Sequence, residues 1–132
     1  MWSRFLRGFA VVALIVLTGC ARSTDHRTPQ VSSGPMTLSI VSPKAGQTVY
    51  LPFEVKVKAN VPLGNPATGE HHIHIWFDNN RGDYNMFGSD NAEITSASFG
   101  PHTVHVSLNN PDHTPTGIET SVEIEIVDTP AG

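Results

Sequence analysis

Seven histidines stand in a chain of 132 residues. Imidazole is a ligand suited to zinc and copper(II) when neutral, and its ordinary pKa lies just below physiological pH. His71, His72 and His74 fall within GEHHIHIWFD, and His105 within HTVHVSL. Both stretches alternate apolar and polar residues, so side chains two apart share a face. With Ile73, Ile75 and Phe77 inward, His72, His74 and Trp76 face outward. Inward Val104, Val106 and Leu108 put Thr103, His105 and Ser107 outward, and inward Val122, Ile124 and Ile126 put Glu123 and Glu125 outward. Were these three strands neighbours, one solvent face would carry His72, His74, His105, Glu123 and Glu125, a donor set for zinc or copper(II). His113, in the loop sequence Asn110-Pro111-Asp112-His113, is either a further ligand or a plain turn residue. The competing reading is that these histidines only decorate a polar sheet face. Trp76 bears on the choice: buried in the core, it inverts the phase, and a bulge is then needed to keep the histidines out. His71 shares the phase of the core isoleucines, and His26 lies in a polar tail.

Other residues suggest other chemistry. Asp78, Asn80, Asp83 and Asn85 suggest calcium, but their loop fails the helix-loop-helix template, which requires a glycine and a distal glutamate at set positions. Arg81-Gly82-Asp83 is a three-residue match to an integrin-recognition motif, too short to specify anything. Tyr84, Met86 and Phe87 in the same loop could anchor a ligand or partner, or fold over the domain edge.

The elements that must hold these residues are short strands. Period-two patterning spans 37–41, 48–51, 53–59, 70–78, 92–99, 103–108 and 118–127, with turn-rich segments between them, among them long loops at 60–69 and 79–91. That is about seven strands with no helical segment, the pattern of an all-β, immunoglobulin-like two-sheet antiparallel sandwich over 37–128, followed by a short tail at 129–132. Eleven glycines and ten prolines fit a turn-rich β module, and charged residues are only 15%.

At the amino terminus Arg4 and Arg7 precede an apolar run from Phe9 to Leu17, too short to span a bilayer. Leu17-Thr18-Gly19-Cys20 resembles the lipobox of bacterial lipoprotein signal peptides. The resemblance implies cleavage after residue 19, a diacylglyceryl group on the Cys20 thiol and further acylation. Residues 20–36 then form the lipidated cysteine and a flexible tether, and the protein is lipid-anchored on the extracytoplasmic side of a bacterial cell envelope. Ser42-Pro43-Lys44-Ala45-Gly46, Gly100-Pro101-His102-Thr103-Val104 and the final alternating strand resemble bacterial immunoglobulin-like surface domains. In such sandwiches the residue two before the inward Val104 is often a corner tyrosine bonding back to the chain, which implies a structural role for His102.

Eight basic residues oppose twelve acidic ones, and loss of Arg4 and Arg7 leaves six basic. That balance disfavours nucleic acid as a partner. The membrane, through the lipid on Cys20, and an envelope protein or ligand remain as partners. Cys20 is the only cysteine, so an intramolecular disulfide and a second thiol are excluded. No serine elbow, phosphate loop or HExxH pattern is present, which points away from an enzyme. The expected function is a non-catalytic binding domain, either holding zinc or copper(II) on its histidine face or acting as a metal-free adaptor through the 79–91 loop.

Overall fold

The computed structural model describes residues 34–129, and the expectations for the signal sequence and Cys20 lie outside them. The described chain is all β, an immunoglobulin-like sandwich of eight strands: β1 (Leu38–Ser42), β2 (Gln47–Tyr50), β3 (Phe53–Ala59), β4 (His72–Phe77), β5 (Asn85–Phe87), β6 (Asn91–Ile94), β7 (Gly100–Asn109) and β8 (Pro115–Val127). One sheet runs β1-β3-β6 and the other β2-β8-β7-β4-β5. Pairing is antiparallel except between β2 and β8, which run parallel. The eighth strand is β5, three residues inside the expected 79–91 loop. Such a segment is too short to show alternation, and it exists because β4 offers it an edge.

The core lies between the sheets. Val55, Ile73, Ile75, Ala92, Val104, Val106, Leu108 and Ile126 are wholly buried there, with Val49, Val57, Ile94 and Ile124 nearly so. Burial of each such side chain contributes about 1.5–3 kcal/mol against chain entropy, which fixes strand phase firmly. Ile73 and Ile75 therefore take the inner face, and His72, His74 and Trp76 take the outer face of the five-stranded sheet, in the expected phase.

That outer face is not solvent, contrary to expectation. Residues 72–76 are buried on both sides, Trp76 at 4% exposure included. Ser107 and Asn109 on β7 are buried beside them. The cover comes from the turns after β4 and β7. Arg81 lays its guanidinium 4.6 Å from the Trp76 ring centre, Tyr84 stacks on His74, and His113 closes on His72. The tryptophan thus keeps its outward phase and is still enclosed, without a bulge.

Candidate metal centre

Register decides which histidines meet. Across β4 and β7, His72 faces Asn109, His74 faces Ser107 and Trp76 faces His105. His72 and His74, two apart on one strand face, bring their Nε2 atoms to 3.0 Å. Tetrahedral zinc with bonds of about 2.0–2.1 Å has ligand nitrogens roughly 3.3 Å apart, close to this spacing. His113 supplies a third ring, 4.7 Å from His72 and 6.0 Å from His74 between centres. One ring nitrogen from each of His72, His74 and His113 lies within 4.8 Å of the others, close enough to hold a metal ion.

The turn that presents His113 is tightly braced. The His113 N–H donates to the Asn110 carbonyl at 2.9 Å, and the Asn110 N–H donates to the Thr114 carbonyl at 2.9 Å. The Asp112 carboxylate accepts from the hydroxyl and the N–H of Thr114, and these bonds hold it below the usual carboxylate range. Asn109 completes the brace: its amide donates to the His113 carbonyl at 3.2 Å, while its oxygen accepts from the Ser107 hydroxyl at 2.8 Å. His113 itself sits at φ +67°, a left-handed conformation that side chains other than glycine adopt at a cost.

The electrostatics favour neutral imidazoles. Burial, then the nearby His72, His113 and Arg81, push His74 from 6.5 down to about 4. Burial and the charge on His113 likewise lower His72; the Glu70 backbone opposes this but makes no well-formed hydrogen bond to Nδ1. That Nδ1 is the one buried side-chain polar atom without a partner among the described residues. A buried histidine with an unpaired nitrogen is a costly occupant where an aliphatic residue would pack freely. The 3.0 Å contact is a hydrogen bond between the two rings, and a neutral ring offers its lone pair to a cation once that bond is exchanged for ligation.

Tyr84 lies flat on His74, with ring centres 3.9 Å apart and planes 10° from parallel, so this loop residue belongs to the site. Met86 is the cross-strand partner of His74 and is 46% exposed at the rim. Phe87, paired with Ile73, turns inward and packs against the core.

The structure does not bring His105, Glu123 and Glu125 to the cluster. His105 lies one face position beyond His74, about 7 Å along the strand, stacked on Trp76 at 5.2 Å with Nδ1 3.7 Å from Glu119. Glu123 pairs with Thr103 and Glu125 with Pro101, so they point outward but lie about 14 and 20 Å down β8 from the row that holds His74. The acid in that row is Glu119, opposite Ser107, and it pairs with Arg81 at 3.0 Å. Asn109 and Glu119 were not singled out by pattern, because only the register sets them beside His72 and His74; Ser107 was read only as facing outward and Arg81 only as part of a tripeptide.

The remaining sequence features are committed elsewhere. Asp78 accepts the Thr103 N–H at 2.9 Å and meets His102 Nδ1 at 2.7 Å, contacts that hold it below the usual carboxylate range. It is thus used in lacing β4 to β7, and it lines one shallow depression together with Asn80, Asp83 and Asn85. His102 Nε2 lies 2.9 Å from the Ser98 carbonyl, so it bonds back to the chain four residues upstream as a corner residue does. His71 is half-buried and bridges to Leu63 at the entrance to β4.

One known structure supports the fold. The fibronectin(III)-like modules of Clostridium thermocellum CbhA match with a TM-score of 0.51 at 17% identity, over 70% of this chain and 47% of that one. An endo-beta-1,4-mannanase from Thermotoga petrophila overlaps 74% of this chain and 21% of its own, at 12% identity and a TM-score of 0.48. The chain thus spans about half the length of the CbhA structure, and at 17% identity that likeness speaks to fold alone. No protein-family model matches the chain, and no curated protein matches it in sequence.

Proposed function

We propose that this domain is a non-catalytic binding module whose ligand is a zinc or copper(II) ion held by His72, His74 and His113. One observation carries the reading: three imidazoles converge within 4.8 Å, and two of them are buried. Histidine nitrogens suit both ions. Paired strands and a braced turn hold the donors in place, so little ordering accompanies binding. The Leu17-Thr18-Gly19-Cys20 segment supports an extracytoplasmic, lipid-anchored placement, with the sandwich carried at the membrane surface. No helix among the described residues is long and apolar enough to cross a membrane.

Calorimetric titration of the purified protein tests this reading. One ion per chain, with binding strongly weakened in His74→Asn and in His113→Gly, supports it. Heats indistinguishable from dilution at millimolar zinc and copper(II) overturn it. The exposure of Tyr84 and Met86, 45% and 46%, favours a second reading in which this rim docks an envelope protein without metal. Partner capture that persists in chelator and fails in Tyr84→Ala would select that alternative.

A further inference from the structure

A cavity of about 180 Å³ opens beside the histidines, and His74 and His113 form part of its wall together with Arg81, Tyr84, Ser107 and Asn109. His72 does not line it, so an ion on the three rings meets this space on the His74–His113 side. Zinc sites with three protein ligands complete their coordination from outside. Nothing in this cluster offsets the charge of a divalent ion, because its donors are imidazoles and no carboxylate belongs to the group. Glu119, the acid in the same row, is already engaged by Arg81 at 3.0 Å and His105 at 3.7 Å. Arg81, Asn109 and Ser107 line the cavity; the Arg81 guanidinium and the second Asn109 amide hydrogen are suited to meeting carboxylate oxygens, while the Ser107 hydroxyl already donates to Asn109. At roughly 30 Å³ per water, the space equals about six waters, enough for a small anion.

We propose that an ion on His72, His74 and His113 keeps one coordination position open to this cavity, and that the cavity takes a small carboxylate anion as the remaining ligand. This rests on the metal reading above. The site is then a receptor for a metal–carboxylate pair, with the protein supplying three nitrogens and the anion supplying an oxygen and the missing charge.

Acetate is the probe. Protein loaded with one equivalent of copper(II) is titrated with sodium acetate against sodium perchlorate at matched ionic strength, following ligand-field absorption and electron paramagnetic resonance. The expected result is a saturable spectral change, about tenfold weaker in Arg81→Gln through loss of the charged donor, with no acetate binding by metal-free protein in calorimetry. Copper retained with a spectrum indifferent to acetate overturns this inference and leaves the metal reading standing. Equal acetate binding by metal-free protein also overturns it. Failure to retain copper removes the metal reading itself and the inference with it.

Discussion

Replacement of His113 by glycine separates ligation from folding. The residue is exposed and sits at φ +67°, where glycine rests without strain. Relief of a left-handed side chain is worth about 1 kcal/mol, and the edge contact with His72 that is lost is worth a similar amount. The metal-free variant should therefore stay within about 1 kcal/mol of the parent. Metal at a thousand times its dissociation constant stabilises the folded state by about 4 kcal/mol. For a domain of this size that corresponds to a rise of roughly 16 °C at ~4 °C per kcal/mol. Loss of one of three ligands, taken as a hundredfold weakening, leaves about 1.4 kcal/mol at the same metal concentration, or roughly 6 °C. Differential scanning calorimetry with and without zinc reads both quantities. A variant that retains the full metal-induced rise would refute the assignment of His113 as a ligand. One that is unfolded without metal would refute the claim that this turn is braced by its own hydrogen bonds.

Three further outcomes follow from the geometry. The folded His74 is held to about 4 while the unfolded chain titrates at the ordinary 6.5, so between these values the unfolded state binds more protons and acid destabilises. The contribution is intact above pH 6.5 and lost below about 4. Its ceiling is roughly 3 kcal/mol at 1.4 kcal/mol per pH unit, and urea unfolding of metal-free protein should lose this slope in His74→Asn. Asn109→Ala removes the bonds to Ser107 and the His113 carbonyl, and should lower stability by about 1–3 kcal/mol and weaken zinc binding in calorimetry. His105→Ala loses its stack on Trp76 at a cost of about 0.5–1.5 kcal/mol, yet should leave the zinc-induced rise in melting temperature unchanged.

Alternation made part of the site legible. Ile73 and Ile75 must enter the core, which throws His72 and His74 together on the other face, and the same rule orients Val104, Val106 and Leu108. Register did not follow from alternation, because every two-residue slip preserves the faces. The long connection between β4 and β7 imposes none, and so His105 landed opposite Trp76 rather than His74. His113, in an Asn-Pro-Asp turn, was legible as a ligand candidate but not as a neighbour of His72, since a loop side chain carries no periodicity that says where it points. The clearest unread signal was Trp76 itself. A large aromatic in the outward phase between histidines indicates a covered face, and the cover is the Arg81, Tyr84 and His113 turns.

X-ray absorption at the zinc edge of the loaded protein tests the central claim most directly. The account predicts one zinc per chain with three imidazole nitrogens at about 2.0–2.1 Å, falling to two in His113→Gly. A shell of oxygens alone, or an imidazole count unchanged by that substitution, would contradict it.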